Sequence, residues 1–201
     1  MPPVVPPKVP AITRDQATAF LVEAGLPAVD KAVLLGRRGF FVDMGAPGND
    51  FGIYDDGIVL VSPTAFITYN ANTDPSVKRP RVAILQPGRW TYQPGIHNRS
   101  KPVDRQYRAL IQAGEVTVFR PDTEATPAGT NDASLGRCLG GGKWRGWFGA
   151  NIHRGGLNTT GSEGCQTIYK PQWDAFLAQA EMEMKRYNQK TIEYFLTTEF
   201  D

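Results

Sequence analysis

The chain has 201 residues, room for one ordinary domain or a domain with a small subdomain, and enough length to bury a self-supporting core. Apolar residues at 41% and charged residues at 21% exclude a mostly disordered chain, and a formal charge of +2 does not make nucleic acid the default partner. Two cysteines exclude a disulfide framework, and no run of about 18 apolar residues is present to form a membrane-spanning helix.

The first ten residues hold five prolines, Pro2, Pro3, Pro6, Pro7 and Pro10, and read as an extended polyproline arm, either a tail or a docking peptide. They lack the basic region followed by an apolar stretch that a secretory signal requires, so synthesis in the cytoplasm is expected. Thr13-Arg14-Asp15-Gln16 has capping-box spacing and predicts a helix through Ala17, Phe20, Leu21 and Ala24 that stops at Gly25. Residues 29–35 predict a second short helix, ended by Gly36. Short β-prone runs follow at 39–42, 51–54, 58–61 and 66–69, with Asp55-Asp56-Gly57 read as a hairpin turn rather than a metal pair. Further strands are predicted at 81–85, 89–92 and 115–120. A helix opening at Lys170-Pro171-Gln172-Trp173 carries Phe176, Leu177, Ala180, Met184 and Tyr187 on one face, and 191–196 reads as a last strand. With 21 glycines and 16 prolines supplying turns, the expected class is α+β, a β-rich core with small helices at either end.

Between Lys78 and Arg108 lie eight basic residues, Lys78, Arg79, Arg81, Arg89, Arg99, Lys101, Arg105 and Arg108, against the single acid Asp104. Trp90, Tyr92 and Tyr107 interleave with them. The segment is either a solvated basic loop region or a surface for an anionic polymer such as a cell-wall glycan.

Chemistry concentrates further on. His153 is one of only two histidines and lies twelve residues before Cys165, one of the two cysteines. Gly155, Gly156, Gly161 and Gly164 make the intervening segment a loop, and the residues on either side, 150–153 and 165–169, read as strands. Neighbouring strands joined by that loop would bring imidazole and thiol together. A free thiol is only a few per cent thiolate at neutral pH, and an adjacent imidazole activates it as a nucleophile. Amides near Gly164 and Cys165, with Ser162, are candidate oxyanion donors. A buried structural cysteine and a satisfied core histidine are the alternative. Cys138 has no partner nearby in sequence, and both cysteines are expected to be free thiols.

Residues 149–168 resemble the catalytic motif of the L,D-transpeptidase (YkuD-like) family. His153 matches its catalytic histidine, and Ser162, Gly164 and Cys165 match its Ser-His-Gly-Cys segment. Thr126-Pro127-Ala128-Gly129-Thr130 follows a predicted strand as the family's Thr-Pro-x-Gly does, and residues 171–176 resemble the helix after the motif. The chain departs from the pattern at Glu163, where the family has a second histidine, and at Thr167, where it has an arginine. Arg154 and Arg145 are candidates to supply positive charge for substrate instead. His97 reads either as a second site histidine that contacts substrate or as a loop hydrogen-bonding residue, and Trp147 either as a substrate contact or as core or lid.

The resemblance, carried by residues 115–180, implies a β-rich L,D-transpeptidase-like catalytic core in residues 76–201. The residues before it, which match nothing in that family, read as a Pro-rich arm (1–11) and an N-terminal α/β subdomain (12–75). It implies a monomeric cysteine enzyme acting on bacterial peptidoglycan stem peptides, with Cys165 as nucleophile and His153 as base. Such a chain would reach the periplasm or cell wall by holin-type or secretion-system release, as an endolysin or an antibacterial effector does. Two other readings remain open: a lysozyme-like muramidase using Glu163 as general acid, and a non-catalytic wall-binding or virion module carried by the basic segment. No HExxH, CxxC or P-loop pattern appears, so no metal or nucleotide cofactor is implied, and neither nucleic-acid binding nor membrane insertion is expected.

Overall fold

A computed structural model of the chain describes residues 3–44, 51–80 and 82–198. In chain order the described elements are α1 (Arg14–Glu23), β1 (Val33–Arg38), β2 (Asp56–Val61), β3 (Phe66–Asn72), β4 (Ile84–Leu85), β5 (Gly88–His97), β6 (Tyr107–Gln112) and β7 (Val116–Phe119). There follow β8 (Asn131–Asp132), β9 (Gly136–Gly140), β10 (Lys143–Gly146), β11 (Ile152–Arg154), β12 (Gln166–Ile168), α2 (Trp173–Arg186) and β13 (Ile192–Thr198). Eight strands close into a barrel in the order β1–β13–β5–β6–β11–β12–β3–β2, and a second sheet runs β4–β7–β10–β9–β8. Within the barrel β1 is parallel to β13 and β11 to β12, while the other neighbours are antiparallel. Strands dominate and helices are few, as expected of a β-rich α+β chain.

Residues 12–75 do not form a unit apart. They supply β1, β2 and β3, so the boundary expected at residue 75 runs through the barrel. Alternation along these strands explains the arrangement. Leu34, Ile58, Leu60 and Leu196 join the central core with Tyr92, Ile152, Ile168 and Phe176. Their neighbours Val33, Leu35, Val59, Val61 and Phe195 face the other way and meet Ala17 and Leu21 of α1. The Thr13 side chain accepts the Gln16 N–H at 3.2 Å and the Gln16 side chain accepts the Thr13 N–H at 2.9 Å, the reciprocal cap that the sequence predicts. Such a cap contributes about 1 kcal/mol, less than the roughly 2 kcal/mol from fully burying a leucine such as Leu21, so packing holds α1 in place.

The helix expected over 29–35 is replaced by β1, every residue of which is buried. A strand covered on both faces has no alternating polarity, so its apolar run is indistinguishable from a buried helix in sequence. Gly36 lies in mid-strand because any Cβ there would strike the Tyr194 ring. The runs 39–42 and 51–54 form turns and bends rather than strands. Asp55-Asp56-Gly57 is not a hairpin turn: Gly57 pairs with Asn70 and Arg37 inside the sheet. Asp56 is fully buried, with its carboxylate accepting the Gly39 and Thr73 N–H groups. Burial, then Asp74 and Asp55, push its pKa well above the carboxylate range, and Arg38 opposes them. The strand expected over 81–85 reduces to β4, and Arg81 lies outside the described residues.

The proline-rich arm lies along the barrel: Val4 O accepts the Tyr54 N–H at 2.9 Å, Lys8 O accepts Asn70 Nδ2 at 2.9 Å, and Pro6 and Pro10 are buried. The basic segment disperses. Arg79, Arg89 and Arg108 pair with Glu163, Glu193 and Glu181, whereas Arg99, Lys101 and Arg105 are exposed on the connection between β5 and β6. Trp90 and Tyr92 belong to the core, so they offer no stacking surface beside those charges. Among the described residues no helix is long and apolar enough to cross a membrane.

Candidate active site

The two strands flanking the glycine-rich loop are neighbours and run parallel, with Ile152 opposite Gln166 and His153 opposite Thr167. A parallel pair obliges residues 155–165 to cross back from the end of β11 to the start of β12. Ile152 enters the core, so alternation turns Asn151 and His153 to the other face. Cys165 is the residue immediately before β12, two residues from the Thr167 that pairs with His153.

The returning loop is held by its own polar groups. Ser162 Oγ donates to the Cys165 carbonyl at 2.7 Å and accepts the Gly164 N–H at 3.0 Å, while the Ser162 N–H donates to Ser76 Oγ at 2.7 Å. Ser162 and the Gly164 amide, expected as oxyanion donors, are therefore engaged in shaping the turn. The Ala83 N–H donates to the Glu163 carbonyl, and the exposed Glu163 side chain pairs with Arg79. Gly164 sits at φ +136°, where a Cβ would collide with the Ala83 carbonyl, while Gly161 at φ +76° faces nothing closer than 3.8 Å. Gly164→Ala is expected to cost about 2–3 kcal/mol in urea unfolding and Gly161→Ala about 1 kcal/mol. Equal costs at the two positions would contradict the tight approach.

Cys165 and His153 open into one cleft of about 940 Å³, whose walls include Tyr107, Phe148, Arg154 and main chain at Gly149, Gly155 and Gly156. No hydrogen bond joins thiol to imidazole. Cys165 Sγ donates to Gly149 O at 3.3 Å, and His153 Nδ1 lies 2.8 Å from Arg154 O and 3.0 Å from the Tyr107 hydroxyl. A carbonyl only accepts, so the His153 proton is assigned to Nδ1, leaving Nε2 with its lone pair. Burial pushes the Cys165 thiol up to about 11, with the Glu163 charge adding to this and the Asn151 N–H opposing it. His153 is 3% exposed, and burial, then the neighbouring His97, push it down to about 3. The resting site thus holds a neutral thiol and a neutral imidazole rather than an ion pair.

Alkylation by iodoacetamide follows the thiolate. A thiol raised from 9.0 to about 11 carries about a hundredfold less thiolate at pH 7, so Cys165 is expected to react about a hundredfold more slowly than a free thiol. Its rate should still be rising above pH 10. A rate that levels off by pH 8 would contradict the neutral resting state.

His97 also lines the cleft, its ring stacked on His153 at 4.1 Å and 23°. The Arg154 guanidinium lies over the Tyr107 ring at 4.7 Å, within the same cleft. Arg145 and Trp147 are not among the residues lining it. Arg145 pairs with Glu115 at 3.1 Å and Trp147 is 64% exposed. Cys138 is buried and free, and Cys165 is also free. The Thr126–Thr130 turn packs beside Cys138, where Gly129 N donates to Cys138 O and Cys138 N to Thr130 O. Sequence reasoning did not single out Asn151, which bonds His97, or the Gly149 carbonyl. The only signal for Asn151 is its position two residues before His153. Among the described residues no group of three or more His, Cys, Asp or Glu is placed to hold a metal ion.

No protein-family model, no curated protein and no solved structure matches the chain.

Proposed function

We propose that the protein is a peptidoglycan-active cysteine enzyme, related to the L,D-transpeptidases in its catalytic core, that cleaves or transfers stem-peptide bonds through a thioester on Cys165. One observation carries the reading: a histidine on β11 and the cysteine just before its parallel neighbour β12 open into a single cleft whose walls include main chain at five glycines. Such walls admit an extended peptide backbone close to the thiol.

In this reading Cys165 Sγ attacks the peptide carbonyl carbon while its proton passes to His153 Nε2. The neutral resting pair makes this a proton transfer coupled to attack, with His153 as general base. As the tetrahedral intermediate collapses the C–N bond breaks, and the leaving amine takes the proton back from His153. Water then attacks the thioester, or an amine does so in transfer, giving a proton to His153; the C–S bond breaks and Cys165 Sγ takes that proton, which restores the resting pair. Arg154, exposed at the end of β11, offers a cation to a substrate carboxylate. The muramidase reading is less well supported, because Glu163 is exposed and ion-paired to Arg79, unlike the apolar setting a glycosidic general acid needs. Incubation with isolated sacculi tests the proposal: soluble products with new amino groups are expected. Retention on sacculi with no soluble product would instead indicate a binding module.

A further inference from the structure

We propose that His97 is a second catalytic residue, a neutral imidazole held with its proton on Nε2 so that it donates a hydrogen bond to the substrate carbonyl oxygen as His153 Nε2 accepts the thiol proton. The inference rests on the reading of Cys165 as nucleophile, and its geometric basis is separate from that reading.

Three contacts fix the two protons. Asn151 Oδ1 accepts the Gln112 N–H at 2.9 Å, which orients the amide so that its NH₂ faces His97 Nδ1 at 3.1 Å. A ring nitrogen that accepts carries no proton, so neutral His97 keeps its hydrogen on Nε2. His153 has the opposite arrangement, with Nδ1 held by the Arg154 carbonyl at 2.8 Å. The two rings are stacked 4.1 Å apart, and both line the cleft that contains Cys165, one with its free lone pair and the other with its proton on Nε2. Burial lowers both histidines from their ordinary value, and the adjacent His97 lowers His153 further, so the two stacked rings are not protonated together.

Asn151 is tied to both groups. Its main-chain N–H donates at 2.8 Å to the Gly149 carbonyl, which also accepts from Cys165 Sγ at 3.3 Å, while its side chain sets the His97 tautomer. When the carbon–sulfur bond forms, the carbonyl π pair moves to oxygen and that oxyanion accepts from His97 Nε2–H. No proton leaves His97, and the bond strengthens as charge develops, which is what lowers a barrier rather than a ground state. The second histidine absent from the Ser162–Cys165 segment is thus answered by one from β5, about sixty-five residues earlier in the chain.

Because the chain has only two histidines, ring ¹⁵N NMR of the ¹⁵N-histidine protein resolves both without ambiguity. One Nε2–H and one Nδ1–H tautomer are expected at pH 7, with His97→Phe removing the Nε2–H signal. Asn151→Asp, whose carboxylate only accepts, should move the His97 proton to Nδ1. Two rings in the same tautomer, or a protonated ring at pH 7, would overturn the assignment whatever the activity. On stem-peptide substrate, His97→Phe keeps the stacking but loses the donor, and kcat is expected to fall about a hundredfold with KM within threefold. His97→Gln, which restores an N–H donor, should recover at least a tenth of the wild-type kcat. Wild-type kcat in His97→Phe would overturn the catalytic role while leaving Cys165 as nucleophile. An inert wild-type protein with the expected tautomers would instead overturn the proposed function and with it the catalytic role of His97, leaving only the proton assignment.

Discussion

Replacing Cys165 with alanine should abolish the release of new amino groups from sacculi, a loss of at least about a thousandfold, because no other group in the cleft can form the thioester. The fold should survive. The Sγ atom makes one long hydrogen bond, to Gly149 O at 3.3 Å, and the turn before it is held by Ser162 and Ser76 rather than by sulfur. The urea midpoint of Cys165→Ala should therefore stay close to wild type. His153→Ala should lower activity by about a hundredfold to ten-thousandfold, the range for removing a general base. Full activity in Cys165→Ala would remove the mechanism, and a collapse of its stability would leave the structural reading of Ser162 without support.

The second large effect is on acid stability. His153 stays neutral in the folded protein down to about pH 3, whereas in the unfolded chain it protonates near 6.5. Between those values the unfolded state binds more protons, so stability is complete above about pH 6.5 and falls as pH drops toward 3. The slope approaches 1.4 kcal/mol per pH unit, which gives about 2 kcal/mol lost between pH 6.5 and pH 5. His97, also lowered by burial, acts in the same direction. Carboxylates contribute to the same window, so the comparison that isolates His153 is wild type against His153→Phe. Urea unfolding at pH 7 and pH 5 should show about 2 kcal/mol more acid loss in wild type. An equal loss in both proteins would mean that the His153 ring is not held neutral.

Some of this was legible in the chain before the structure and some was not, for physical reasons. The Thr13–Gln16 cap is a local device, so its residues predict α1 directly. The scarcity of His and Cys made their spacing conspicuous, and the strands on either side of the glycine loop are indeed neighbours. That these strands are parallel is a property of the whole barrel, so the crossing of residues 155–165 from the end of β11 to the start of β12 is not readable from the chain. The run 29–35 reads as a helix because burial of β1 on both faces, from residue 33 onward, erases period-two alternation. The stack of His97 on His153 depends on β5, β6 and β11 lying side by side, and nothing local to His97 announces it. Asp56 has a similar origin: its neighbour Gly57 suggested a turn, but Arg38 and the Thr73 amide, brought in from β1 and the end of β3, make it a buried sheet residue.

Mass spectrometry of muropeptides released from sacculi by wild type, Cys165→Ala and Glu163→Gln tests the nucleophile most directly. The expected result is cleaved or exchanged stem peptides with wild type and Glu163→Gln and none with Cys165→Ala. New reducing ends that persist in Cys165→Ala and vanish in Glu163→Gln would contradict it.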